Sequence, residues 1–559
     1  MAQSLSWMPD SLYNFSVSAV VANYSFYEKD IRILSGPVLF DILYKLYKDG
    51  LLKQLAKACE NLHVFEKLLK VGDKRIYLHN SLQALMDHGQ ETAQKLANAY
   101  IDACLKVDFY LMLVGFLKVR RFMPFCLEMC PQKTYSTLAI FLECYTRLLH
   151  AQNMLRKFNE AGETIKEAQA CIEQIKCLKL DINVANIYGE FAFYYFIQSK
   201  YKEAYSWSNA ALDELKSYLT PRVLIRVLCI ASKAYVMKNK LHPAEFLIKH
   251  AVEIARKTFG VHSLVYAETL LYYGDYLLHS DVINHSVIVY QKALDIHIEV
   301  LGGKNLLVAI AHEELAYATY VLDYTNRQFK NARYHIQKAL SIKESLLPAD
   351  DFLLTSTKKI YALIIEEIAI DYDDEEVKNK LLYEAEDHHA SALQVTKMHL
   401  GEINLQTAKH YGNLGRLYQS IGKYEKARKF ILKAIKINQQ IMGPNDFEAS
   451  ISLSHLASLY CYHMSKYEEA ILLYKRAVKI GVEQFGKNFS GLEFDYKGLI
   501  RAYGTLGDLE NASNMHYELS EWYNLKRRNL KKASSTSPLN IEMEIITPEC
   551  ISSYIASIQ

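Results

Sequence analysis

The chain has 559 residues, 50% hydrophobic and 23% charged, with only 22 Gly and 10 Pro. That balance belongs to a folded, mostly helical protein and excludes collagen-like or disordered classes. A formal net charge of +3 over this length gives no electrostatic footprint for nucleic acid or an anionic membrane surface.

The first residues, MAQSLSWMPD, lack a basic region and an apolar core, so no secretory signal is expected. The stretch PDSLYNFSVSAVVANY (9–24) predicts a helix capped by Asp10 or Ser11, with Leu12, Phe15, Ala19 and Val20 recurring at three-to-four spacing. ILSGPVLFDILYKLYKDGLL (33–52) continues in the same style, with Leu39, Phe40, Leu43 and Leu46 as hairpin core. Residues 56–180 read as helical, with degenerate repeats. Their longest apolar run, YLMLVGFL at 110–117, is too short for a membrane span. Ten cysteines without a CxxC pair point to reduced thiols in cytosol or nucleus; Cys126 and Cys130, one helical turn apart, read as buried and free.

From residue 181 a ladder of small residues begins. Ala204, Ala244, Ser286, Ala332, Ala385, Ala427, Ala470 and Ala512 follow one another at intervals of 40, 42, 46, 53, 42, 43 and 42. A second alanine stands seven residues after each of the first seven, from Ala211 to Ala477. Small residues seven apart share one helix face, where another helix can approach closely. The clearest unit, TAKHYGNLGRLYQSIGKYEKARKFILKAIKI (407–437), places Leu414, Gly415 and Tyr418 on one helix, then Tyr424, Ala427, Ile431 and Ala434 on the next. These are the large and small positions of a tetratricopeptide repeat, stretched from about 34 residues to about 42. Between hairpins stand FGVHS (259–263), LGGKN (301–305), LGEIN (400–404), MGPND (442–446) and FGKNF (485–489). In each, a glycine fits a helix C-cap, and in four of them an Asn or Asp soon after can start the next helix. The fold class is therefore all-α: a superhelical solenoid of about eight long repeats over 181–530.

One interval is stretched by IYALIIEEIAIDYDDEEVKNKLLYEAEDHH (360–389), whose DYDDEE predicts an exposed loop. Residues 531–559, rich in Ser and Thr and without a repeat, predict a disordered tail. No phosphate loop, HExxH, GxSxG or paired-CxxC zinc spacing occurs. Gly302-Gly303-Lys304 follows a helix rather than a strand, and the adjacent His388 and His389 point to different sides of theirs. The expectation is a non-catalytic protein with no metal and no cofactor.

The long repeats resemble those of kinesin light chains. Ser11-Leu12-x-x-x-Ser16-x-x-x-Val20 resembles a BC-box, the elongin C-binding helix of cullin-2 and cullin-5 substrate receptors, where the leucine enters a pocket and a small residue packs beside it. The following stretch would be the cullin box, making 1–55 the adaptor-binding region. Cullin-2 receptors commonly show Leu-Pro there; this chain has Leu34-Ser35, with Pro37 displaced, followed by Leu39 and Phe40. SLYNFSVSAVVANY (11–24), SLQALMDHG (81–89), GGKNLLVAIAHEELAY (302–317), EEIAID (366–371), QTAKHYGNLGRLYQS (406–420) and SGLEFDYKGLI (490–500) are similar, in collinear order, to a tetratricopeptide receptor family of cullin-2 ubiquitin ligases. The likeness is poorest at KVRRFMPFCLEMCPQ (118–132), where the family's text is longer.

That resemblance implies elongin B/C and cullin-2 as partners, recognition of C-terminal degrons of the Arg-x-x-Gly kind, and residence in cytoplasm and nucleus. It also implies a link to microtubule-associated transport of the amyloid precursor protein, and a kinesin-type cargo adaptor is the alternative function. No sustained heptads occur in residues 1–180 to pair with a motor heavy chain. For the degron, positions two before and two after the central residue of each first helix would face inward. With a neighbouring turn included, the candidates are Asp275, Glu313 or Glu314 for the arginine and Lys409, Arg416, Lys497 and Arg501 for the terminal carboxylate, with Tyr317 and Asn413 as further peptide-binding positions.

Overall fold

A computed structural model describes residues 12–59, 64, 67, 135–324, 326–533, 537–539, 541 and 543–558. Ser11 and the stretch 68–134, with Cys126 and Cys130, lie outside the described residues. All the described elements are α-helices, 23 in number. The chain divides into two compact units, residues 1–155 with 163–182 and residues 156–162 with 183–559.

In the first unit the helices are α1 (Leu12–Ala22), α2 (Tyr24–Ile31), α3 (Gly36–Lys48), α4 (Leu52–Cys59), α5 (Tyr135–Met154) and α6 (Phe158–Cys177), whose first turn belongs to the second unit. Pro37 stands in the first turn of α3, where a missing N–H costs nothing. Leu39, Phe40, Ile42, Leu43 and Leu46 form its buried stripe, and α1 and α4 both pack on it. Glu28 on α2 pairs with Arg32 and with Lys57 of α4, each at 2.9 Å. The Tyr13 hydroxyl donates to Asp41 at 2.9 Å.

The second unit consists of the hairpins α7 (Ala185–Ile197)/α8 (Tyr201–Asp213), α9 (Pro221–Val236)/α10 (Leu241–Phe259), α11 (Leu264–His279)/α12 (Ile283–Leu301) and α13 (Leu306–Asp323)/α14 (Lys330–Leu346). They continue with α15 (Leu353–Ile370)/α16 (Glu375–Leu400), α17 (Leu405–Ser420)/α18 (Tyr424–Met442), α19 (Phe447–His463)/α20 (Tyr467–Phe485) and α21 (Leu492–Leu506)/α22 (Leu509–Ala533). Each first helix packs on its own second helix and on the first helix of the next hairpin. The ladder residues Ala204, Ala244, Ser286, Ala332, Ala385, Ala427 and Ala470 are fully buried on the second helices. Between hairpins, Gly260, Gly302, Gly401, Gly443 and Gly486 close a helix at φ between 76° and 103°, a left-handed region that favours glycine. Ser263, Asn305, Asn404 and Asp446 then cap the next helix, each side chain accepting a backbone N–H. The acidic stretch 371–376 is exposed, and Asp374 caps α16 by accepting from the Glu376 and Val377 N–H groups.

Distant hairpins of this unit touch. The Asn404 side chain donates to the Gln198 carbonyl at 2.8 Å, and Gln406 to the Ser199 hydroxyl at 3.0 Å. Asn239 donates to the Gln484 carbonyl at 2.7 Å, and Asp281 accepts from the Ser490 N–H at 3.1 Å and from Lys526. Ser199, Asn239 and Asp281 all sit at positive φ in the turns within the first three hairpins. The first three hairpins of the superhelix thus touch the last three, which turns its concave face towards an interior.

The tail differs from expectation. Residues Pro548–Ile558 form a helix, α23, with Ile551 and Ile555 buried. Glu549 accepts the Ser217 N–H, and the Tyr554 ring packs on Phe246 with centroids 4.1 Å apart. Two isoleucines one turn apart give this segment an apolar stripe that its Ser-rich composition hides.

Candidate functional site

The interior face can be read from exposure along the first helices. Between Ala309 and Tyr320 only Ile310, Glu314 and Tyr317 are half-exposed. Between Leu405 and Tyr418 only Gln406, Lys409, Asn413 and Arg416 are. The inward positions are therefore five before, one before and two after the central leucine. The position two before, expected to face inward, is rotated by about 100° per residue into the hairpin core. Glu313 is the clearest correction: it is buried, with Lys343 Nζ and the Thr357 hydroxyl both donating to it. Burial opposes its charge, but the adjacent Lys343 ammonium holds its carboxyl below the usual range. It is a structural ion pair, not a peptide ligand.

Most of the other expected charges also hold one another. Asp275 faces Lys233 at 3.5 Å, and Lys409 pairs with Glu448 at 2.7 Å. Arg416 forks between Glu367 and Glu366, with 2.7 Å from one guanidinium nitrogen to each. Despite burial, which opposes its charge, those two carboxylates raise the pKa of the guanidinium further. Lys497 pairs with Glu493 at 2.6 Å on an exposed flank, and the Arg501 guanidinium lies 4.5 Å from the centre of the Tyr462 ring. Asp275, Lys409, Arg416 and Lys497 thus come ready-paired, contrary to an open groove of free charges. The partners Lys233, Glu366, Glu367 and Glu448 were missed, although Lys233 and Glu366 stand two after Ala231 and Ile364 on their own helices.

A different set remains. Among the described residues, the side chains of Tyr272, Glu314, Tyr317, Lys359 and Asn413 make no hydrogen bond or ion pair. Burial pushes the Glu314 carboxyl up to about 7 and holds the Lys359 ammonium below its ordinary value. No group of three or more His, Cys, Asp or Glu among the described residues is arranged to hold a metal ion. No described helix is long and apolar enough to cross a membrane.

The N-terminal unit carries a second candidate surface. Leu12 is 84% exposed, Phe15 59%, Phe26 81% and Ile33 80%. Leu12, Phe15, Ser16 and Ala19 share the outer face of α1, while Val20 is half-buried and Val21 fully buried. The Ser16 hydroxyl donates back to the Leu12 carbonyl at 2.9 Å. In the expected cullin box Leu34 and Pro37 are exposed. Leu39 and Phe40 are buried in α3 and unavailable to a partner, because they hold α1 and α4 in place.

A tetratricopeptide repeat model matches residues 376–440 and 406–481. The apo form of the quorum sensor NprR from B. thuringiensis aligns with 14% identity and a TM-score of 0.44, over 68% of this chain and 98% of that one. Amyloid protein-binding protein 2 of Mus musculus is 42% identical over 550 residues, covering 94% of each chain. Its Rattus norvegicus counterpart is 43% identical over 579 residues, covering all of this chain and 98% of its own. With two helical units, a repeat array and a full-length match of this identity, the chain belongs to the amyloid protein-binding protein 2 family.

Proposed function

We propose that this chain is the substrate-recognition subunit of a cullin-2/elongin BC ubiquitin ligase. The observation that carries the reading is the uncovered apolar face of α1. A leucine left 84% exposed beside an exposed Phe15, on a helix that packs on α3 and is buried at Val21, is a docking surface in waiting. Leu12 enters the elongin C pocket, Ser16 allows close approach beside it, and Ser11 and Val20 border the contact. Ile33, Leu34 and Pro37 meet the cullin. The chain supplies recognition and no bond-making group; ubiquitin transfer belongs to the other subunits.

The substrate is a peptide C-terminus of the Arg-x-x-Gly kind, held in the interior of the repeat superhelix and marked there for degradation by the proteasome. An interior lined by carboxylates, ammonium groups and tyrosines suits a short charged peptide better than an apolar one. A second reading, a microtubule- or kinesin-associated adaptor for cargo such as the amyloid precursor protein tail, draws support from the name of the relatives, which states that they bind amyloid protein. Affinity purification of the full chain from cell lysate, probed for elongins B and C, cullin-2 and kinesin heavy chain, separates the two. Recovery of kinesin without elongin overturns the ligase reading.

A further inference from the structure

Subtracting the interior charges that already hold one another leaves a small cluster. Glu314 on α13 stands one residue before Leu315, as Asn413 stands one before Leu414 on α17. Lys359 on α15 stands five residues before the fully buried Ile364, as Lys409 stands five before Leu414. These are the inward positions of three successive first helices, α13, α15 and α17, which pack side by side. Tyr272 and Tyr317 occupy the same stripe on α11 and α13.

The committed pairs lie on either side of this cluster. Lys233–Asp275 comes from the earlier hairpins, and Lys409–Glu448 and Arg416–Glu366/Glu367 from the later ones. A cation already saturated by two carboxylates has no need of a third. A half-buried acid and a half-buried base whose side chains are held in no hydrogen bond or ion pair disfavour the empty state, and complementary charges from a ligand remove that cost. Lys359 and Glu314 lie near enough for Glu314 to favour the protonated Lys359, after burial, Lys409, Glu313 and Glu448 have acted on it.

We propose that Glu314 and Lys359 are the specificity-determining residues of the interior site, Glu314 receiving a guanidinium and Lys359 the free terminal carboxylate of the same peptide. Tyr272, Tyr317 and Asn413 supply hydrogen bonds to the peptide between those ends. An extended stretch of three residues spans about 10 Å, which suits two ligand groups bound on neighbouring helices. The inference rests on the reading that the interior holds an Arg-x-x-Gly terminus. It moves the carboxylate from the expected Lys409, Arg416, Lys497 and Arg501 to Lys359.

The test uses the full chain and a fluorescein-labelled decapeptide ending Arg-Ala-Ala-Gly, in three forms: free acid, C-terminal amide, and citrulline in place of arginine. Wild type binds the free acid roughly 10- to 100-fold more tightly than the other two, the range of a charge-assisted contact. Glu314→Gln binds the arginine and citrulline forms alike yet still prefers acid over amide. Lys359→Met loses the acid-over-amide preference yet still prefers arginine over citrulline. Glu314→Asp and Lys359→Arg restore the respective preferences, which a merely folded or unfolded interior would not do. Wild-type discrimination that survives in both Glu314→Gln and Lys359→Met overturns this inference and leaves the degron reading standing. Equal or undetectable binding of all three peptides by wild type overturns both.

Discussion

Asn404 and Gln198, 206 residues apart, meet through a 2.8 Å hydrogen bond from the asparagine side chain to the glutamine carbonyl, and both residues are buried. The other end of the same amide accepts the Gln406 N–H at 2.8 Å and caps α17. One side chain thus starts a helix and ties that hairpin to the first one. Asn404→Asp keeps the cap but turns a carboxylate oxygen towards the Gln198 carbonyl. It is expected to destabilise by about 1–3 kcal/mol although Asp caps as well as Asn. Asp446→Asn, at a cap whose side chain bonds only within its own helix, is the control and should be near neutral. Chemical denaturation measures both, and equal stability of Asn404→Asp and wild type contradicts that tie.

Gly498 meets Tyr474 so closely that an added Cβ would lie 2.3 Å from the ring, and at Gly415 it would lie 2.4 Å from Ile431. Tyr474 and Ile431 are fully buried and have no room to retreat. Gly498→Ala and Gly415→Ala should each cost about 1–3 kcal/mol through overpacking, despite alanine's better helix propensity. Gly504, helical with nothing within 4 Å of its added Cβ, gives the opposite sign: Gly504→Ala should stabilise by about 0.5–1 kcal/mol. Thermal melting of the three variants tests the register of α21 on α20 and of α17 on α18.

Asp495 is buried on α21, one carboxyl oxygen has no hydrogen-bond partner, and burial pushes its pKa from 3.8 up to about 7. A raised carboxyl pKa contributes stability below the unfolded value, and that contribution is lost as pH rises through the folded one. Asp495→Asn should therefore match wild type near pH 4 and exceed it above pH 7, by an amount on the order of 4 kcal/mol. Melting temperatures across this range check the sign. An advantage that does not grow between pH 4 and 8 contradicts the assignment.

Ile551 and Ile555 seat α23 against hairpins more than 290 residues earlier, where Tyr554 covers Phe246. Ile551→Asp places a charge in that apolar seat and should release the helix while leaving the repeat array folded. Hydrogen exchange is the readout: protection should vanish in 548–558 and stay in α9 to α22. Unchanged protection in 548–558 contradicts the docked tail.

The repeat array was legible because it is written many times. Five of the seven junctions repeat the same glycine cap, and seven of the eight small residues have a partner seven later, so a local signal becomes a global one. Register within a helix was not legible to better than one residue, and one residue is enough to turn Glu313 into a core ion pair and leave Glu314 in the interior. The pairing of Arg416 with Glu366 and Glu367 is equally hidden. It depends on how closely successive hairpins approach, a distance that periodicity does not carry. Ile551 and Ile555 were masked by neighbouring serines, and one turn of helix is too short to stand out by pattern. On α3, Leu39 and Phe40 satisfied both a core and a docking pattern, and burial decides for the core.

The central claim is that the exposed face of α1 docks on elongin C, and Leu12→Ser tests it most directly. At 84% exposed, Leu12 contributes little to the fold, so melting and circular dichroism should match wild type. At an interface centre, a buried leucine carries about 2–5 kcal/mol, and its loss should abolish co-purification of elongin C with the full chain. Undiminished elongin C recovery with the Leu12→Ser variant would contradict the account.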